Sequence, residues 1–190
     1  MVLTSFLSLY NAGMGKCAMP KTWSDAFNLL WDFLKQMPVD GDEHFWTSQA
    51  GGSIHAGWAG RAFERVCMQH VAQIKEALGF SAVVSSVHSW SYKGEKDPVS
   101  GRTIHKGVQI DLLIDRNDDT INLCEIKYTN AAYTLTEEED ERIRNRKETF
   151  IRETGTEKTV LITMITAFGL TPGGYVDDIH CQLTMADLFR

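Results

Sequence analysis

Two carboxylates and a lysine interrupt the otherwise apolar stretch QIDLLIDRNDDTINLCEIKY, residues 109–128. Asp111 stands in the first apolar run, and Glu125 and Lys127 stand in the second. If residues 116–120 form the loop of a β-hairpin, Asp111 lies directly opposite Glu125, with Cβ atoms about 5 Å apart. Like charges at this distance destabilise a sheet unless a cation lies between them or one acid has a raised pKa. The hairpin is therefore a candidate cation site.

The alternation of side chains assigns each residue to a face of this hairpin. We expect the core face to carry Val108, Ile110, Leu112 and Ile114 against Asn122, Cys124, Ile126 and Tyr128. The opposite face then carries Gln109, Asp111 and Leu113 against Lys127, Glu125 and Leu123. A shift of one residue in register would move Asp111 to the other face.

The chemistry of these side chains favours a hard divalent cation. Carboxylate oxygens suit Mg²⁺ or Mn²⁺ better than zinc. Lys127 is a point charge that can hold a phosphate oxygen or orient a water molecule. A simpler interpretation stays open, because exposed hairpin faces often carry Asp, Glu and Lys. Glu125 and Lys127 would then form a solvated ion pair with little effect on stability.

A third acid, Glu64, lies in a predicted helix that runs from about Gly60 to Leu78 and ends at Gly79. Glu64 flanks the apolar stripe of this helix, so its side chain could reach over the sheet. The alternative is a surface glutamate near a helix N-terminus, where the helix dipole favours negative charge.

Further elements surround the hairpin. We expect a strand within residues 81–93, a polar loop over 94–107, and a buried central strand within 158–168. A last strand near residues 179–184 precedes a short C-terminal turn.

A second helix is predicted between the hairpin and the central strand. The T-x-x-E pattern from Thr136 to Glu139 is typical of a capping box, and the helix is expected to reach about Glu153 with Gly155 behind it. The order helix, three strands, helix, two strands predicts an α/β (α+β layered) domain.

Residues 1–41 are expected to be a helical appendage, and residues 42–190 the main domain. Thr22 can cap a helix that Pro38 ends, with large apolar side chains at Trp23, Phe27, Leu30, Trp31 and Leu34. Such a helix could dock on the main domain, on a partner, or on a second copy of the chain. The sequence GMGKC resembles a phosphate loop, but Tyr10 and Cys17 stand where the Walker pattern needs Gly and Ser or Thr.

The composition and charge of the chain limit which classes of protein it can belong to. The chain has 190 residues, 43% hydrophobic and 23% charged, which is ordinary for a soluble domain. We expect a cytoplasmic protein, because no apolar run could span a bilayer and four scattered cysteines form no CxxC pair. The net charge of −6 argues against a dedicated polyanion binder, although residues 100–107 and 142–147 are locally basic.

The order of elements and acids resembles the PD-(D/E)XK, or restriction-endonuclease-like, nuclease superfamily. The matching residues are Ile110-Asp111, Glu125-Ile126-Lys127 and Glu64. Residues 42–190 also look like the C-terminal domain of a family of bacterial and archaeal AAA-type ATPases. The segments that carry this likeness are DEHFWTSQ, GRAFERVCMQHVAQIKEALG, QIDLLIDR, INLCEIKY, ETGTEKTVLITMITAFGL and LTMADLF.

The resemblance implies Mg²⁺- or Mn²⁺-dependent hydrolysis of a phosphodiester, most readily in DNA, by a mixed sheet flanked by helices. It implies metal binding by Asp111, Glu125, Glu64 and the main-chain carbonyl of Ile126. Lys127 would orient water or stabilise developing charge, and Gln109 could position the nucleophile or a phosphate.

The resemblance also bears on partners. Arg142, Arg144, Arg146 and Lys147 are candidates for nucleic-acid contacts, and a solvated helix face with i,i+4 ion pairs is their alternative. Tyr133 and Trp90 could stack on bases or pack in the core. The rival to an enzyme is a non-catalytic module that binds DNA or protein, or regulates an ATPase.

Overall fold

The structure, a computed structural model, describes residues 53–173, 175 and 178–189. The side chains of residues 53–55 are not included in this description. The predicted helix after Thr22, the appendage 1–41 and the boundary at residue 42 lie outside these residues.

A five-stranded mixed sheet forms the middle of the domain. In chain order the strands of the described residues are β1 (Ser85–Tyr92), β2 (Glu95–Lys96), β3 (Thr103–His105), β4 (Val108–Arg116), β5 (Thr120–Lys127), β6 (Thr159–Thr166) and β7 (Ile179–Thr184). The sheet has the order β1-β4-β5-β6-β7, antiparallel from β1 to β5 and parallel from β5 to β7. The predicted layered α/β domain with a mixed sheet is confirmed, and both β5 and β6 are buried interior strands.

Helices cover both faces of this sheet. Among the described residues they are α1 (Ser53–Gln69), α2 (Val71–Ala77), α3 (Glu137–Thr154) and a 3-10 helix (Met185–Phe189). Phe63 of α1 and Ile74 of α2 pack with Leu112 and Ile114 on one face, whereas Phe150 of α3 packs with Leu123 on the other. No helix within the described ranges combines the length and the apolar character that crossing a membrane requires.

The single helix predicted from Gly60 to Leu78 is wrong in two respects, since α1 already begins at Ser53 and a break at His70 separates α1 from α2. His70 has φ −109° and ψ 27°, outside the helical region. Its ring nitrogen Nδ1 lies 2.7 Å from the carbonyl oxygen of Val66, which also accepts the main-chain N–H of His70. The predicted end is confirmed, because Gly79 adopts φ +77° directly after Leu78.

The helix α3 forms as its end signals predict. The Thr136 side chain accepts a hydrogen bond from the Glu139 N–H, and the Glu139 carboxylate accepts one from the Thr136 N–H. At the other end Gly155 adopts a left-handed φ of +62° and its N–H donates to the carbonyl of Ile151. This helix is the crossover that joins β5 to the parallel strand β6.

The predicted register of the central hairpin is confirmed over four residue pairs, whereas the predicted pairs of Asp111 with Glu125 and Gln109 with Lys127 lie beyond the ladder. Asp115 pairs with Ile121, and the ladder continues to Leu112 opposite Cys124. The loop residues fix this register, as polar turn residues between two apolar runs are expected to do.

The predicted faces are wrong for Val108 and Ile110, and hence for Gln109 between them, because β4 contains a bulge. His88 of β1 pairs with Leu113, but Trp90 pairs with Ile110. One residue of β1 therefore faces two residues of β4, Asp111 and Leu112. The extra residue reverses the alternation of side chains beyond it. Val108 and Ile110 consequently pack beneath α3 instead of beneath α1 and α2.

The predicted polar loop contains a small hairpin made of β2 and β3. Its base is close-packed at Gly94, which has φ +79°. A Cβ atom on Gly94 would lie 2.5 Å from the carbonyl oxygen of His105 and 2.7 Å from the main-chain nitrogen of Gly107. Only glycine fits this position without a movement of the backbone.

Replacing Gly94 by alanine is expected to loosen the base of this hairpin by about 1–3 kcal/mol, because strain and backbone overlap add. Hydrogen exchange of the Asp97 amide, which donates to the carbonyl of Arg102, reports the loosening. Gly101→Ala is the matched control, since Gly101 has φ +68° but open space around a new Cβ. Equal acceleration of exchange in both variants would contradict the role assigned to close packing.

Candidate functional site

The bulge in β4 determines where Asp111 lies. Bulges re-aim side chains and commonly occur next to sites of chemistry. The ladder between β4 and β5 stops at Leu112 and Cys124, so Asp111 and Glu125 are the next residues on their strands. Gln109 donates a hydrogen bond of 2.6 Å from Nε2 to Oδ1 of Asp111. Gln109 and Asp111 are therefore in contact with each other, but the bulge removes Gln109 from the face of Leu113 and Leu123 on which the two were predicted to lie.

Glu125 is a buried carboxylate with two cationic partners. Only 7% of the residue is exposed. Its Oε1 lies 2.9 Å from Nζ of Lys127, and its Oε2 accepts a hydrogen bond from Nη1 of Arg146 on α3. An unpaired charge at this depth would be strongly destabilising. Lys127 and Arg146 thus provide part of the positive charge that a buried Glu125 carboxylate needs.

Glu64 extends the site from the sheet to α1. Burial raises the pKa of Glu64, and the carboxylate of Asp111 raises it further. Lys127 acts in the opposite direction, and Glu125 adds another upward contribution to this pKa. The three acids and the lysine that the sequence selects therefore interact electrostatically. They come from three elements, α1, β4 and β5.

Replacing Glu64 by glutamine is expected to stabilise the fold at neutral pH. An unfolded glutamate loses its proton near pH 4.5, whereas the folded Glu64 keeps its proton to higher pH because its pKa is raised. Folding stability must therefore fall as pH rises from 4.5 through the raised pKa, and a neutral glutamine avoids this loss.

Thermal unfolding tests this expectation. At pH 7 the Glu64→Gln variant should unfold at a higher temperature than the wild type, and at pH 3 the two should coincide. Glu76→Gln, at an exposed position of the chain just before the end of α2, is the matched control. A lower unfolding temperature for Glu64→Gln at pH 7 would contradict the destabilising role of the ionised acid.

The donor atoms suit a hard divalent cation, although their arrangement would have to change. Asp111, Glu125 and Glu64 offer carboxylate oxygens, which Mg²⁺ and Mn²⁺ prefer, and Ile126 adds a main-chain carbonyl. Among the side chains that the structure describes, no three of the acidic, histidine or cysteine type are grouped so as to hold a metal ion. Both oxygens of Glu125 have cationic partners, so Glu125 can ligate an ion only by releasing at least one of them.

The four basic residues of α3 are placed differently from one another. Arg142 pairs with Glu138 at 2.6 Å, and Arg144 pairs with Asp140 at 2.7 Å, both at i,i+4 spacing. The Arg142–Glu138 pair matches the solvated-face alternative, whereas Arg144 pairs with a carboxylate that is buried. Arg146 contacts Glu125, and helical spacing could not predict this contact because the residues are 21 positions apart. Lys147 forms no ion pair within the described part of the chain, and its contact with nucleic acid stays a prediction.

The two aromatic candidates for base stacking have packing partners. Trp90 lies edge-on to Phe150 with ring centroids 5.2 Å apart, and it stacks on Tyr92 at 6.5 Å. The hydroxyl of Tyr133 donates to the carboxylate of Glu139, and burial together with this hydrogen bond raises the pKa of Tyr133. Both residues therefore make the contacts expected of packing residues.

One family model matches the chain. It is DUF234, described as "Archaea bacterial proteins of unknown function", and it covers residues 40–143. Asp111, Glu125 and Lys127 lie inside this range. Searches of the curated proteins and of the solved structures found no match. Because the family model spans more than half of the chain, the protein belongs to the DUF234 family.

Proposed function

We propose that this protein is a Mg²⁺- or Mn²⁺-dependent nuclease of the PD-(D/E)XK type that hydrolyses phosphodiester bonds, most readily in DNA. The order of its helices and strands and the resemblance of its acids to that superfamily support the proposal. We also propose an association with an ATPase, on the likeness of residues 42–190 to the C-terminal domain of prokaryotic AAA-type ATPases.

The observation that carries the proposal is the convergence of charge at the end of the β4–β5 ladder. The bulge in β4 lies at Asp111, and Gln109 donates a hydrogen bond to the carboxylate of Asp111. Asp111, Glu125 and Lys127 all act on the pKa of Glu64, which lies on a different element. A surface hairpin with solvated charges requires neither the bulge nor the buried position of Glu125.

The acids would hold the ion. Asp111 and Glu125 contribute oxygens from two adjacent strands, with Glu64 and the carbonyl of Ile126 completing the set. When bound, Mg²⁺ or Mn²⁺ acts as a Lewis acid on the phosphate and makes an attacking water more acidic. Gln109 positions Asp111 through the 2.6 Å hydrogen bond to Oδ1.

Two basic side chains, Lys127 and Arg146, would bind and stabilise the negative charge of the phosphate. Lys127 lies 2.9 Å from Glu125 and can stabilise the charge that develops on the phosphoryl oxygens in the transition state. Arg146 carries a planar guanidinium that binds a carboxylate or a phosphate with similar geometry. Arg146 can therefore pass from Glu125 to a phosphate oxygen when the acid takes up its ion.

A plasmid assay tests the proposed activity. Wild-type protein is expected to nick supercoiled plasmid with Mg²⁺ or Mn²⁺ and to be inactive with EDTA, and Asp111→Asn should abolish nicking. Asp115→Asn is the matched control, because Asp115 lies on the same strand but pairs with Lys158. Equal nicking by wild type and Asp111→Asn, or no nicking by the wild type, would contradict the proposal.

One observation favours a second candidate function, a non-catalytic module that binds DNA or a protein, for example to regulate an ATPase or to form a homodimer. Each carboxylate oxygen of Glu125 already has a cationic partner, Lys127 or Arg146, in the absence of a metal ion. Such a module would bind its partner equally well with and without the divalent ion, and Asp111→Asn would leave its binding unchanged.

A further inference from the structure

The β2–β3 hairpin concentrates positive charge on a protein that is acidic overall. Residues 93–106 contain two acids, Glu95 and Asp97, and four exposed bases: Lys93, Lys96, Arg102 and Lys106. The whole chain has a net charge of −6. None of the four bases forms an ion pair within the part of the chain that the structure describes. Their charges are therefore available to an anionic partner.

The hairpin has an ordered backbone around these bases. The Asp97 carboxylate accepts hydrogen bonds from the N–H groups of Val99 at 2.9 Å and Ser100 at 2.5 Å. The main chain of Asp97 also donates to the carbonyl of Arg102 and accepts from the N–H of Gly101. A ribbon that is already ordered loses less conformational entropy when it binds a partner.

The position of the hairpin connects it to the proposed site. Its two ends continue directly into β1 and β4, where Tyr92 pairs with Val108. Lys106 precedes Asp111 by five residues, a distance of about 16 Å along an extended strand. This distance corresponds to roughly five base-pair steps of a DNA duplex. A duplex with one phosphate at Asp111 can therefore also reach the hairpin.

We propose that the hairpin of residues 93–106 is a DNA-binding element that contacts the phosphate backbone of a duplex about five base pairs from the cleaved bond. A two-stranded ribbon fits the major groove of B-form DNA. The four basic side chains of the hairpin would lie close to the negatively charged phosphates there. The proposal rests on the proposed function for its choice of nucleic acid as the partner.

Binding of a fluorescein-labelled DNA duplex of about 25 base pairs, measured by anisotropy in EDTA over a range of salt, tests the hairpin without cleavage. In the test variant Lys93, Lys96, Arg102 and Lys106 are all replaced by glutamine. In the control variant the three lysines become arginine and Arg102 becomes lysine, which keeps every charge. These four side chains are exposed and form no hydrogen bond or ion pair within the described residues, so both variants are expected to fold, and circular dichroism checks this.

The glutamine variant is expected to bind about 100-fold more weakly near 0.1 M salt, with the slope of log K against log salt reduced by about 3 to 4. The charge-preserving variant should bind like the wild type. Unchanged binding by the glutamine variant, or equal loss in both variants, would overturn the proposal. Stronger binding of an RNA duplex or of polyglutamate than of DNA would also overturn it.

The result of this DNA-binding experiment can be distinguished from the result of the plasmid assay for the proposed nuclease. If the hairpin variant loses DNA binding while wild-type protein fails to nick plasmid, the hairpin proposal stands and the nuclease proposal fails. If plasmid nicking depends on Asp111 but DNA binding does not depend on the hairpin, the nuclease proposal stands and the hairpin proposal fails.

Discussion

Replacing Lys127 by methionine is expected to slow DNA cleavage by about 10²- to 10³-fold, the usual loss when one group that stabilises transition-state charge is removed. Methionine keeps most of the length and apolar volume of the side chain while it removes the ammonium group. The Nζ atom of Lys127 is held 2.9 Å from Oε1 of Glu125, at the end of β5. The charge is thus fixed in place before substrate arrives.

The loss should appear in kcat more than in KM. A group that acts mainly on charge developed in the transition state lowers kcat and kcat/KM together, whereas a group that only binds substrate raises KM. Single-turnover cleavage of a labelled duplex at saturating protein separates these effects.

The control for this prediction is Lys158→Met. Lys158 makes a similar ion pair, with Nζ 2.7 Å from Oδ1 of Asp115, but it lies near the loop end of β4. This variant is expected to cleave at the wild-type rate. A Lys127→Met variant that cleaves within a few-fold of the wild type would remove Lys127 from the catalytic assignment.

Replacing Arg146 by alanine is expected to lower the free energy of unfolding by about 2 kcal/mol, because Glu125 stays buried and loses a charged hydrogen-bond partner. Glu125 is 9% exposed in its side chain and Arg146 is 29% exposed, so solvent can replace the guanidinium only in part. In a domain of this size such a change lowers the unfolding temperature by about 4–8 °C.

Arg142→Ala provides the matched control on the same helix. The Arg142–Glu138 pair is exposed on both sides, at 64% and 75%, and such i,i+4 pairs contribute about 0.3–0.5 kcal/mol. A loss for Arg146→Ala no greater than that for Arg142→Ala would show that the contact with Glu125 has little effect on stability.

Divalent ions should change this comparison. In the wild type, an ion that binds Oε2 of Glu125 must displace Arg146, whereas in Arg146→Ala that oxygen has lost this partner. Adding Mn²⁺ is therefore expected to stabilise the alanine variant more than the wild type. Equal stabilisation of the two proteins would mean that Arg146 and the ion do not compete for Glu125.

Local signals in the sequence predicted much of the fold. The polar residues between Asp115 and Ile121 fixed the hairpin register, because two apolar runs leave little freedom in where the chain turns. Thr136, Glu139 and Gly155 defined α3, because capping groups satisfy the free main-chain groups at helix ends. These interactions involve residues only a few positions apart.

Features that depend on distant residues could not be predicted in this way. The bulge at Asp111 exists only in relation to β1, so the alternation within β4 alone placed Val108 and Ile110 on the wrong face. The contact of Arg146 with Glu125 needs α3 to lie on β5, and helical spacing suggested only pairs within the helix. The residue types of the site were thus visible in the sequence, whereas their charge balance was not.

The proposed metal site is tested most directly by calorimetric titration of Mn²⁺ into the wild type, Asp111→Asn, Glu125→Gln and the control Asp115→Asn. If the acids of β4 and β5 hold a shared ion, the wild type and Asp115→Asn will bind Mn²⁺, and both site variants will lose that binding. Identical titrations for all four proteins would contradict a shared ion at Asp111 and Glu125.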